Sequence, residues 1–144
     1  MQVSILLQAK GSTVVSVQPE ATVGDVLDVL ALHRIGAVVV TPDGQVIEGV
    51  LSERDIVRAL AQDGAAVLGA PACALMTANV VTCQPDTTVQ ELMATMTERR
   101  IRHVPVVAGG RLAGLVSIGD VVKHHIATLE HESQALHDYI AHPY

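Results

Sequence analysis

Apolar residues along this chain change their spacing every few positions, and the changes come in a fixed order. Residues 13–17 are β-branched and predict a strand, which Pro19 ends. Thr22 then stands as an N-cap with Asp25 three residues on, and Val23, Val26, Leu27 and Leu30 recur at helical spacing. An unbroken apolar run at 37–41 predicts a strand, Pro42-Asp43-Gly44 a turn, and 46–51 a strand leading straight into Ser52 and a helix to about residue 60. The order then returns: strand 80–83, helix 88–99, strand 103–107, a Gly109-Gly110 turn, strand 111–116 and a helix from Ser117.

The return is a sequence repeat. Gln18-Pro19 recurs as Gln84-Pro85, Thr22-Val23 as Thr88-Val89 and Arg34-Ile35 as Arg100-Ile101, each 66 positions on. One residue is lost at the turn, after which Gly49, Ser52 and Asp55 recur as Gly114, Ser117 and Asp120, 65 positions on. A unit this long, present twice, predicts two facing halves with a cleft between them rather than an open solenoid. The expected fold is α+β, two β-α-β-β-α repeats related by a pseudo-two-fold axis. The expected division is an N-terminal helix at 1–11 closed by Gly11, repeat 1 at 12–62, an Ala- and Gly-rich linker at 63–79, repeat 2 at 80–126 and a helical tail at 127–144. Along the last helix Val122, Ile126, Leu129, Ser133, Leu136 and Ile140 form a heptad-like seam. It fits a helix lying along its own domain and equally a seam shared with a second subunit.

Composition narrows the function. The 144 residues are 49% hydrophobic with a mean hydropathy of +0.39, and the core must be aliphatic because only Tyr139 and Tyr144 are aromatic. Missing stacking platforms and a net charge of −6 argue against nucleic-acid binding. No apolar run approaches the roughly 20 residues of a membrane span, and the start lacks the basic segment of a signal peptide. Cys73 and Cys83 make no C-x-x-C pair, and two thiols suit a reducing cytosol, with a disulfide between them left open. A cytoplasmic protein is expected.

Two constellations carry candidate chemistry. Gly49-Val50-Leu51-Ser52-Glu53-Arg54-Asp55 and Gly114-Leu115-Val116-Ser117-Ile118-Gly119-Asp120 each set a hydroxyl and a carboxylate three residues apart where a strand becomes a helix. Free N–H groups and the helix dipole favour an anion there, and the carboxylate suits a ribose diol. The same pattern is a capping box, as in Thr22-x-x-Asp25 and Thr88-x-x-Glu91. The second is Arg99-Arg100-Ile101-Arg102-His103, which holds three of nine Lys and Arg residues at the same edge of the repeat. Arg offers a fork that matches phosphate, although a solvated helix end explains Arg99 and Arg100 as well. Repeat 1 has Gly36 and Ala37 where repeat 2 has Arg102 and His103, so one half is basic and the other open. The tail histidines, His124, His125, His131, His137 and His142, show no metal-ligand spacing, and no phosphate loop or nucleophile elbow occurs.

Gly49–Ile56 and Gly114–Val121, the run Arg100-Ile101-Arg102-His103-Val104-Pro105-Val106, and Leu75-Met76-Thr77 before the second copy resemble a tandem pair of cystathionine β-synthase (CBS) domains. Lys10-Gly11, Ser52-Glu53-Arg54-Asp55, Ser117-Ile118-Gly119-Asp120 and the Tyr139-Ile140 tail resemble the small stand-alone bacterial proteins of this group. The resemblance implies two adenosine sites. In one, Asp120 and Ser117 hold ribose or phosphate, with Leu115 on the same strand, Thr13, Val15, Gly36 and Ala37 line the adenine pocket, and Arg102 and His103 meet phosphate. In the other, Asp55 and Ser52 do so with Asn79, Val81, Arg102, His103 and Arg54. It further implies a homodimer and a regulatory module that binds AMP, ADP, ATP or NAD(H) as ligand, requires no cofactor, does no chemistry and signals to a protein effector. The alternatives are an enzyme, which needs a nucleophile or metal that the sequence does not show, and a ligand-independent dimeric scaffold working through its C-terminal helix.

Overall fold

The computed structural model describes residues 1–142. The elements run α1 (Val3–Lys10), β1 (Ser16–Val17), α2 (Val23–His33), β2 (Ala37–Val40), β3 (Gly49–Ser52), α3 (Glu53–Asp63), a 3-10 helix (Gly64–Gly69), α4 (Ala72–Leu75), α5 (Val89–Arg99), β4 (His103–Ala108), β5 (Arg111–Ser117) and α6 (Ile118–Ala141). The helix starts follow the predicted caps. Thr22, Ser52, Thr88 and Ser117 each accept a hydrogen bond from the amide three residues on, and all but Thr22 form a reciprocal capping box.

Each repeat is built on an antiparallel hairpin. In the first, Ala37 pairs with Ser52 and Val40 with Gly49; in the second, His103 pairs with Ser117 and Val106 with Gly114. The matched registers bring the start of one strand and the start of the following helix to the same sheet edge in both halves. Ala37, Ser52, His103 and Ser117 sit at that edge.

The first strand of each repeat is shorter than expected. Of residues 13–17 only Ser16 and Val17 pair, in parallel with Val39 and Val40. The strand expected at 80–83 is reduced to a single parallel bridge, Cys83 to Val106. Pro105 explains this. In repeat 1 the Val39 amide donates to the Val15 carbonyl; Pro105 stands 66 positions on and has no N–H to offer Val81. The ladder therefore stops at Cys83, and residues 79–81 lie free of it. The strand expected from 46 starts instead at Gly49, because the Asp43 carboxylate accepts from the Gln45 and Val46 amides and holds them in the turn.

The segment between the repeats is packed structure rather than a spacer. Its Val67 and Ala72 are buried with Val23, Val26, Leu30, Val38, Val40, Leu51 and Ile56 in the core of repeat 1. The core of repeat 2 takes Val3 and Leu6 from α1, together with Val89, Leu92, Met96, Val104, Val106, Val116 and Val121. Each half is thus completed by the segment that precedes the other. The backbone repeats the exchange: the Val3 amide donates to Thr87 and Ser4 to Pro85, while Ala72 donates to Ala21 and Cys73 to Pro19. Gly49 and Gly114 permit the close approach. A Cβ at Gly49 would lie 2.5 Å from Met76 Sδ, and one at Gly114 would lie 2.6 Å from Leu7 Cδ2.

Candidate functional site

Both Ser-x-x-Asp turns are capping boxes, and both leave something over. Asp55 Oδ2 accepts from the Ser52 amide (3.0 Å) and hydroxyl (2.9 Å). Asp120 Oδ2 does the same with Ser117 (2.8 and 3.0 Å). Among the described residues, the Oδ1 atom of neither carboxylate takes a donor. Capping and ligand binding are therefore compatible at each turn: one oxygen fixes the side chain and the other is left without a donor among the described residues.

The two halves then diverge. Beside Asp55 lies an open cleft of about 1060 Å³ between the repeats. Of the sequence-predicted residues it gathers Gly36, Ser52, Arg54, Asp55, Asn79, Val81, Arg102 and His103. Asn79 is exposed and Val81 half-buried on the segment that Pro105 releases, and among the described residues no backbone hydrogen bond uses the Val81 carbonyl. Gly36 marks where the halves meet, since a Cβ there would lie 3.3 Å from Glu53 Oε1 and 3.6 Å from His103 Cε1.

On the other half, Lys10 reaches the Asp120 turn. Its ammonium donates to Asp120 Oδ2 at 2.5 Å and to the Leu115 carbonyl at 2.7 Å. Partial burial works against ionisation of Asp120, but the Lys10 bond and charge and the Ser117 donors outweigh it and hold the carboxyl below its ordinary range. Of the residues expected to accompany Asp120, Thr13 is exposed, Val15 packs against the core of repeat 1 and Ala37 is buried in the sheet. Burial, then repulsion from Lys10, lowers the His103 pKa against the opposing pull of Glu53 and Asp120, so its imidazole is neutral at pH 7.

The sequence reading names Lys10 and Glu53 only in the motifs that carry the resemblance, with no role in a site, and passes over Arg58. Arg58 was legible in principle, because it stands four residues after Arg54 and so shares its helix face. Lys10 and Asp120 are 110 residues apart, and no local pattern joins them.

Comparison with known proteins bears on the fold and the family. The family model described as "CBS domain" matches twice, at residues 11–62 and 72–126. The CBS domain-containing protein CBSX3, mitochondrial, of Arabidopsis thaliana is 36% identical over 123 residues, covering 83% of this chain, which spans 60% of that relative's length. YhcV of Bacillus subtilis is 29% identical over 79% of this chain and 80% of its own. The crystal structure of ATU1752 from Agrobacterium tumefaciens superposes with a TM-score of 0.84 at 49% identity, over 87% of this chain and 99% of that one. PAE2072 from Pyrobaculum aerophilum, solved in complex with AMP, gives 0.74 at 34% identity, over 83% and 89%. The exchanged-segment pair of hairpins, the two capped carboxylate turns and the doubled family match together establish that this chain belongs to the CBS-domain family.

Proposed function

We propose that this chain is a regulatory module that binds an adenine nucleotide in the Asp55 cleft and passes that occupancy to a partner without chemistry of its own. The observation that carries the reading is the convergence in one cleft of a ribose-type acceptor (Asp55), a segment whose backbone is free of the sheet (79–81) and a set of arginines. A purine amine and ring nitrogen call for a backbone acceptor and donor, a ribose diol for a carboxylate, and phosphate for Arg. The AMP held by PAE2072 supports the same ligand class. The Asp120 turn is a second, unlike site, because Lys10 already engages its carboxylate. Two free thiols and the absence, among the described residues, of a helix long and apolar enough to cross a membrane suit cytoplasmic action.

The partner includes a second copy of the chain. Along α6, Val122, Ile126, Leu129, Leu136, Tyr139 and Ile140 are 49–71% exposed, an apolar stripe that a lone α6 leaves in water. The same stripe favours the second reading, a scaffold that dimerises without ligand. Thermal unfolding separates the two. The midpoint rises with AMP, ADP, ATP, NAD, NADH or S-adenosylmethionine and not with GTP under the nucleotide reading. It is unmoved by all of them under the scaffold reading.

A further inference from the structure

The Asp55 cleft collects Arg54, Arg58, Arg99, Arg100 and Arg102, five of the chain's nine Lys and Arg residues. They face only two carboxylates there, Glu53 and Asp55, in a protein whose net charge is −6. Among the described residues the one ion pair is Lys10–Asp120, so none of the five is matched by an acidic partner.

Nor does the fold benefit from several of them. Arg54 and Arg58 form a like-charge pair at i, i+4 on α3, which disfavours the helix. Arg54 lies in the first turn of that helix, where the dipole repels a cation. Arg100 holds a left-handed backbone (φ 54°) in which a glycine would be at ease. Arg99, at the C-terminus of α5, is the one cation its own helix welcomes. The related positions of repeat 1 and α6 are His33, Arg34, Gly36, Gly119 and Lys123, so the crowding belongs to one half alone.

Charge gathered against the interest of the apo fold is compensated by a bound polyanion. A single phosphate group brings about −1.5 to −2 at pH 7, less than this wall presents. We infer that the Asp55 cleft takes a nucleotide with two or more linked phosphates in preference to a monophosphate. Arg58, Arg99 and Arg100 lie outside the turn that holds the ribose, and they grip the outer phosphates. The inference rests on the adenosine reading above and names the ligand class within it.

The test is calorimetric titration of the intact protein with AMP, ADP, ATP and NAD at one ionic strength. ATP and ADP are expected to bind at least about tenfold tighter than AMP, the effect of one or two charge-assisted contacts. Binding of NAD tighter than ADP assigns the cleft to a bridged pyrophosphate, and the reverse order to a terminal chain; both support linked phosphates. In Arg58→Gln/Arg99→Gln, whose changes lie on exposed helix positions, the ratio of ATP to AMP affinity falls toward one. AMP binding as tightly as ATP, ADP and NAD overturns the inference and leaves the adenosine reading standing. A ratio unchanged in the double variant overturns it too. No binding of any nucleotide to the wild type removes the adenosine reading itself.

Discussion

The Lys10 ammonium lies 2.5 Å from the Asp120 carboxylate, joining the last residue of the first helix to the first turn of the last. This contact ties α1 to repeat 2 at the very turn that resembles a ribose site. Lys10 uses Oδ2, the oxygen already committed to the Ser117 cap, and leaves Oδ1 open. It therefore favours the ionised form of Asp120.

Replacing Lys10 with Met removes that hold. Both side chains are partly exposed, so the pair contributes about 0.2–1 kcal/mol by the measure of other surface pairs. The Asp120 pKa is depressed on folding from 3.8, so its contribution is present above pH 3.8 and lost as the pH falls through the folded value. Urea unfolding at pH 7 and at pH 3 is expected to separate Lys10→Met from the wild type at the first pH, with the gap narrowing at the second.

His103 sets a different pH window. Its folded pKa lies below the ordinary 6.5, so the unfolded chain takes up a proton more readily than the folded one. Stability is full above pH 6.5 and declines as the pH falls from there toward the folded value. His103→Gln flattens that part of the denaturation midpoint plotted against pH. An undiminished slope between pH 7 and 5 in the variant contradicts this assignment.

Arg34 and Arg100 end α2 and α5 with the same left-handed residue, φ 53° and 54°. Glycine accepts this conformation without the Cβ clash, so Arg34→Gly and Arg100→Gly each stabilise the unliganded protein, by about 0.5–1 kcal/mol. Arg100→Gly does so while weakening ATP. Equilibrium unfolding paired with ATP titration of each variant checks both halves of this trade.

Gly49→Ala and Gly114→Ala test the exchanged packing. At Gly49 the new methyl meets Met76 and also the Thr77 carbonyl at 2.9 Å, which is backbone and cannot step aside. At Gly114 it meets the side chain of Leu7 alone. Each costs about 1–3 kcal/mol, with Gly49→Ala the larger, as read by thermal unfolding.

The hairpins, the caps and the doubling were legible in the sequence because each rests on neighbours within a few residues: Ser52 with Asp55, Ser117 with Asp120, Gly109 with Gly110. What escaped depends on distant partners. The strand at 80–83 has good β-forming residues, but its ladder is ended by Pro105 on another strand. Residues 63–79 read as a linker because they are rich in Ala and Gly; that Val67 and Ala72 complete a core follows only from where repeat 1 leaves a gap. The basic run at 99–103 was visible, and the family resemblance already set Arg102 and His103 beside Arg54; that Arg58, Arg99 and Arg100 join them follows only from how the two halves face each other.

The central claim is that Asp55 is a ligand carboxylate as well as a cap. Calorimetric titration of ATP into the wild type, Asp55→Ala and Asp25→Ala tests it most directly. Asp25 is a matched control, since its amide caps on Thr22 at the start of α2 and its side chain is not among those lining the cleft. The account predicts saturable binding to the wild type, retained in Asp25→Ala and weakened in Asp55→Ala by about 1.5–3 kcal/mol, or roughly tenfold to a hundredfold. Equal affinity in Asp55→Ala and Asp25→Ala would contradict it.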